Sequence, residues 1–442
     1  MSSRLIDSLA TTDALAEVFS DQSLLQAMLD FEAALARAEA KAGVIPDRAA
    51  EAISAAASAD GLDGAAIARE ARGSGTVSIP LVSALTARVQ ATDAASARFV
   101  HFGATSQDVA DSAMVLTIQR AHATLSGDHA RLERTLRQLS DRHARTVMLG
   151  RTLLQPAPPI TFGLKVAGWV AALVRGWKRL ESASRESAVL QFGGASGTLA
   201  ALGNRGLDVS RALAADLGLR NPEAPWHTHR DRLGALVSAC GLYTATLGKI
   251  ARDISLLMQD EVGEATERGG GSSTMPHKRN PAACAVALAA STRLPGLVAA
   301  FLAGMVQEHE RAVGGWHAEW PTIADALQAT GSALSAMADA AAELSVHADR
   351  MRANIERTNG AVFAERAMML MTDSVGREPA RRLVTDALAR SRETGKTFGE
   401  ALLAMPDAVR AIPADELRTI DVPEEYLGAA ETLRVQLLNP EL

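Results

Sequence analysis

Apolar residues recur at intervals of three and four along almost the whole chain, the spacing that places them on one side of an α-helix. Near the start, Leu24, Met28, Phe31, Leu35 and Ala38 form such a stripe, ending at Gly43 with Pro46 beyond. Further on, Val115, Ile118, Leu125, Leu132, Leu136 and Leu139 share a seam, with His122 and His129 at intervening positions. Phe162, Val166, Trp169, Leu173 and Leu180 form another. The cleanest seam joins Leu233, Leu236, Cys240, Tyr243, Leu247, Ile250, Ile254 and Leu257. It predicts a helix of about 28 residues, roughly 42 Å long at 1.5 Å per residue. Several such helices predict a long antiparallel bundle, thin enough that other copies of the chain must cover the second apolar faces. The stretch at 281–306 is the most apolar of all, but Arg293 and Pro295 interrupt it. A buried helix pair is expected there rather than a membrane span.

Composition supports an all-α fold. Of 442 residues, 48% are hydrophobic but only 4% aromatic, a mixture that suits helices packed on alanine and leucine more than β-sheets. The 45 basic and 51 acidic residues are interspersed, for a net charge of −6, so no basic stripe invites nucleic acid. Cys240 and Cys284 are the only cysteines, too few for a disulfide framework and not spaced as a metal pair. With no signal-peptide pattern in MSSRLIDSLATTDALAEVF, a cytoplasmic protein is expected. The pattern divides into an N-terminal helical part (1–105), a long-helix core (106–352) and a region of shorter helices (353–442) with breaks at Gly360, Gly376, Gly395, Pro406 and Pro413.

Three polar, glycine-containing segments interrupt the helices. HFGATSQDV at 101–109 precedes a long helix that Thr105 or Ser106 can cap, and exposed amides at such an end attract an anion; a plain cap is the alternative. GRTLLQPA at 150–157 also leads toward a helix, where a capping threonine beside Arg151 and Gln155 could hold a carboxylate, or simply make a turn. GSSTMPHKRNP at 271–281 sets two serines behind the glycines at 269–271 and ahead of Lys278, Arg279 and Asn280. Glycines permit a loop that opens and closes, and the charge beside the serines suits gripping a carboxylate while a proton moves.

In order and spacing these segments resemble the fumarase/aspartase/argininosuccinate lyase superfamily, whose signature is the GSSTMPHKRNP stretch; HFGATSQD is most similar to the branch of adenylosuccinate lyases and carboxymuconate cycloisomerases. The resemblance implies a three-domain all-α fold, a homotetramer around a twenty-helix core, active sites built from three chains, and no metal or organic cofactor. It implies chemistry at a carbon–carbon bond beside a carboxylate, with Ser272 as proton carrier and with Lys278 and Asn280 holding the carboxylate whose carbanion forms. Thr105, Ser106, Thr152 and Gln155 match hydroxyl and amide contacts to substrate, and His101 matches the histidine that opens the first motif. A substrate of charge about −3 would explain why Arg151, Arg311, Lys278 and Arg279 stand near the polar segments.

Departures from the superfamily pattern narrow the branch. Most of its lyases read Gly-Arg-Thr-His, where this chain has Leu153. An amine or hydroxide needs a proton as it leaves; a carboxylate, with a pKa around 4, does not. The segment GTVSIPLV at 75–82 lacks a histidine that adenylosuccinate lyases carry, and after His309, Glu310 and Arg311 the chain has Trp316 and Trp320 where those enzymes hold a nucleotide phosphate. QFGGASGTL, PWHTHRD and GGWHAEW are similar to the carboxymuconate cycloisomerase branch, which implies closure of a lactone in bacterial protocatechuate degradation through the β-ketoadipate pathway. A fumarate-releasing carbon–nitrogen lyase and a non-catalytic tetramer are the alternatives. His227 and His229 form an HxH pair without further ligands at a metal spacing, and Trp316 and Trp320 read as core, interface or pocket lining.

Overall fold

The computed structural model describes residues 5–271, 274–275 and 277–439. Helices dominate it. Among the longest are α1 (Asp21–Lys41), α2 (Ser106–Arg142), α3 (Phe162–Ser187), α4 (Asp231–Leu257), α5 (Ala282–Gly304) and α6 (Gly315–Ala342). The expected seams are the buried faces: the leucines named on α2 and every residue of the α4 seam are buried. The α1 helix starts where the Ser20 hydroxyl accepts from the Ser23 amide. It ends before Gly43, whose φ of +70° suits glycine.

Contacts divide the chain into two compact units, Met1–Ala130 with Arg175–Gly248 and Val286–Ala336, and Arg131–Val174 with Lys249–Ala285 and Met337–Leu442. In the first unit the seam histidines are packed. His122 and His129 stack on Trp177 at centroid distances of 5.2 and 4.4 Å, and His129 Nδ1 lies 2.9 Å from the Tyr243 hydroxyl. The second unit holds the shorter helices, interrupted at Gly360, Gly376, Gly395, Pro406 and Pro413 as expected. Phe363, Met371, Phe398, Leu402 and Ile420 close its core.

Two expectations need correction: a capping role for Thr152, where the alternative of a turn is what forms, and a buried helix pair at 281–306. The segment at 150–157 is a β-hairpin: β1 (Val147–Thr152) pairs antiparallel with β2 (Gln155–Thr161). Leu153 and Leu154 form its two-residue turn, both left-handed at φ +49° and +64°. Thr152 therefore caps no helix; Thr161 does, accepting from the Leu164 amide at 3.1 Å. The hairpin feeds α3 through Gly163, where a Cβ would stand 2.7 Å from the Ser140 carbonyl oxygen and the Ala144 Cα, so only glycine fits. The apolar run at 281–306 is one helix, α5, that continues through Pro295. A proline removes one amide donor and strains a helix without always ending it, and alanine- and leucine-rich turns on either side sustain this one. Nor is it buried. Among the described residues α4 and α5 are long and apolar enough to cross a membrane; 61% of the apolar window of α4 is buried within the chain, but only 22% of that of α5.

Candidate active site

The first motif, in the first unit, is the most elaborately built. His101 takes φ +59° and sets Nδ1 2.6 Å from Glu32 Oε1 on α1. Burial opposes protonation of the imidazole, but the Glu32 charge and hydrogen bond outweigh it and raise its pKa. Two turns along α1, burial and the charge of Glu32 push Glu39 up to about 9, so Glu39 is protonated at neutral pH.

Four residues on, a closed ring of hydrogen bonds forms. Arg311 Nη1 donates to the Thr105 hydroxyl at 2.8 Å, and Nη2 to the Ala195 carbonyl at 3.1 Å. The Thr105 amide and the Gly194 amide both donate to Asp108 Oδ2, at 3.0 and 2.9 Å. The Gly193 amide and His227 Nε2 meet Asp108 Oδ1 at 3.0 and 2.7 Å. Asp108 is wholly buried, and four donors saturate it. Gly194 is required at this approach, since a Cβ would lie 2.8 Å from the Gly103 carbonyl oxygen. Ser106 begins α2, and its carbonyl accepts from the Ser78 hydroxyl at 3.0 Å, tying the 75–82 segment to the motif.

Behind the ring, Arg230 bridges buried Asp111 (2.7 and 3.0 Å) and buried Glu319 (2.6 Å at closest). Trp316 Nε1 donates to Asp111 at 2.9 Å, so Trp316 is core, whereas Trp320 lines a cavity of about 280 Å³ with Arg72, Thr76 and His317. The HxH pair is split: His227 is buried on Asp108 and His229 is exposed. Among the described residues, no three His, Cys, Asp or Glu side chains gather as a metal centre requires.

The remaining candidates lie in the second unit. Arg151 is not free: it forks onto buried Glu264 at 2.6 and 2.8 Å. Thr152 and Gln155 face each other across the hairpin end, exposed beside Leu153, which is 98% exposed. In the third motif the Asn280 amide donates to the Gly270 carbonyl at 2.8 Å, and Gly271 bridges to Arg279, so the segment is pinned at its base. Asn280 is half-buried and Lys278 exposed. Ser272 lies outside the described residues. Just before the loop, the buried Glu267 carboxylate accepts from the Ala283 and Cys284 amides at 2.9 and 3.4 Å, capping α5 and anchoring the loop's far end.

The structure thus brings His101, Thr105, Ser106 and Arg311 together in one unit, and carries Arg151, Thr152, Gln155, Lys278 and Asn280 in the other. Sequence reading missed Asp108 and His227 as the centre of the ring. The signal was present: Asp108 stands three residues after Thr105, the spacing of a capping box.

Residues 8–296 match the protein family described as lyase, and residues 360–435 the family described as adenylosuccinate lyase C-terminus. The chain belongs to the fumarase/aspartase/argininosuccinate lyase superfamily. Among curated members, 3-carboxy-cis,cis-muconate cycloisomerase of Pseudomonas aeruginosa is 47% identical over 97% of this chain and 94% of its own length. The enzyme of the same name from Bradyrhizobium diazoefficiens is 45% identical over 99% and 98%. Of solved superfamily structures, 3-carboxy-cis,cis-muconate lactonizing enzyme from Pseudomonas putida superposes with a TM-score of 0.94 at 43% identity, covering 99% of this chain and 98% of that one.

Proposed function

We propose that this lyase-superfamily protein is a 3-carboxy-cis,cis-muconate cycloisomerase, interconverting that tricarboxylate diene and 4-carboxymuconolactone. One substrate carboxylate adds through oxygen to the nearer double bond and closes a five-membered lactone. The displaced π electrons move toward a neighbouring carboxylate, and the resulting carbanion takes a proton at carbon. In reverse the proton is removed and the lactone oxygen leaves as a carboxylate. Ser272 carries the proton, and Lys278 and Asn280 hold the developing charge. His101, Thr105, Ser106, Thr152, Gln155 and Arg311 contact the carboxylates; Arg151, already paired with Glu264, contributes by fixing the hairpin and not by a free charge.

The observation that carries this reading is Leu153. At the fully exposed tip of a hairpin, where the superfamily pattern described above implies a histidine, this chain has a side chain that cannot donate a proton. A leaving group that departs as an anion needs no acid at this position. The apolar and largely uncovered face of α5 supports a homotetramer whose active sites are completed by other copies. Cys240 and Cys284, both free and buried, accord with the reducing cytoplasm expected from the sequence.

The test is a spectrophotometric assay with 3-carboxy-cis,cis-muconate run beside adenylosuccinate and argininosuccinate. Loss of the muconate absorbance with no fumarate released from either adduct is expected. Comparable turnover of either adduct would overturn the assignment.

A further inference from the structure

Within the second unit, the hairpin, α3 and the end of α4 enclose a cavity of about 470 Å³, inside the usual range for small-molecule sites. Leu149, Leu154, Leu256, Leu257 and Val262 give it an apolar lining. Its charged residues divide unequally. Arg151 is matched by Glu264, which is buried and also accepts from Asn354 Nδ2 at 2.7 Å. Lys249 is matched by Asp253, which further accepts from Trp169 Nε1 at 2.8 Å. Both carboxylates are thus committed. Lys165, half-buried on α3 and lining the same cavity, has no hydrogen-bond or ion-pair partner among the described residues. Burial lowers its pKa, against the pull of Asp253.

A partly desolvated ammonium beside two internally neutral ion pairs leaves one surplus positive charge over an apolar floor. We propose that this cavity binds a small organic monoanion, an aromatic or short aliphatic carboxylate, with its carboxylate on Lys165 and its carbon body against the leucines. Three cavity residues, Leu149, Arg151 and Leu154, belong to the hairpin that presents Thr152 and Gln155, so an occupant braces the segment proposed to meet substrate.

Benzoate titrated into the intact protein by calorimetry tests the site, with benzyl alcohol as the neutral isostere and butanoate as the aliphatic arm. Benzoate is expected to bind at least about tenfold more tightly than benzyl alcohol. Lys165→Met is expected to remove that difference while melting no lower than the parent, and Lys165→Arg to keep it. Equal binding of benzoate and benzyl alcohol, or unchanged benzoate binding to Lys165→Met, overturns the proposal. The calorimetry does not depend on the reaction proposed above; a kinetic arm does. With carboxymuconate as substrate, benzoate is expected to lower kcat through Lys165. Strictly competitive inhibition that survives Lys165→Met would place benzoate in the substrate site and overturn the proposal.

Discussion

The ring around Asp108 and the segment at 270–280 hold charge in opposite ways. At Asp108 a buried carboxylate is surrounded by four donors, and the guanidinium of Arg311 is fixed by a hydroxyl and backbone carbonyls. Such a network costs too much to open and close in each turnover. At 270–280, Lys278 is exposed, and among the described residues its segment is tied at its base by the Asn280–Gly270 hydrogen bond and the Gly271–Arg279 bridge. The difference fits the two tasks proposed above: holding a substrate carboxylate in place at the ring, and moving a proton from the other segment.

If that division is right, damage to the two regions differs in kind. Ser272→Ala is expected to lower kcat on carboxymuconate by about 10²–10⁴-fold with the melting temperature unchanged; steady-state kinetics beside calorimetry decides, and a smaller loss removes Ser272 as proton carrier. Asp108→Asn is expected to cost about 3 kcal/mol in urea unfolding and to raise KM more than it lowers kcat, because an amide cannot accept all four donors. Unchanged stability would show that the ring is not fixed.

A pH effect tests the buried face of α1. Glu39 holds its proton to about 9 in the folded chain, against 4.5 in the unfolded one. The stability it contributes is therefore present below pH 4.5 and lost as pH rises toward 9. Glu39→Gln is expected to raise the urea midpoint at pH 8 more than at pH 5; equal shifts would mean that Glu39 titrates normally. The smallest effect is expected at the hairpin tip. Leu153→Asn with Leu154→Gly suits a turn with both residues left-handed and should stabilise by roughly 1–2 kcal/mol, read by thermal melting. A matching fall in kcat/KM would show that the leucines are kept for the substrate.

Much of this was legible in the sequence, and the limits have physical causes. The seams on α2, α3 and α4 were readable because burial there follows the helical period residue by residue. The hairpin was not: Leu153-Leu154 lacks the Asn-Gly signature of its turn, and Pro156, Pro158 and Pro159 read as breakers rather than strand. The three motifs placed the candidate residues, but no local pattern could say that Arg151 is spent on Glu264, 113 residues away. Asp108 and His227 were visible as letters within quoted motifs; their meeting depends on a tertiary approach through glycines 193 and 194.

The tied base of the 270–280 segment bears on how such a protein changes over time. Gly270 and Asn280 already close the base of the segment, and Glu267 already secures the start of α5. Lengthening the tip would cost little, since each doubling of a loop adds only about 0.6 kcal/mol of closure entropy. Residues there can be exchanged or inserted while the helices stay standing. The contacts that hold the helix ends thus lie outside the tip, and a change confined to the tip leaves them in place.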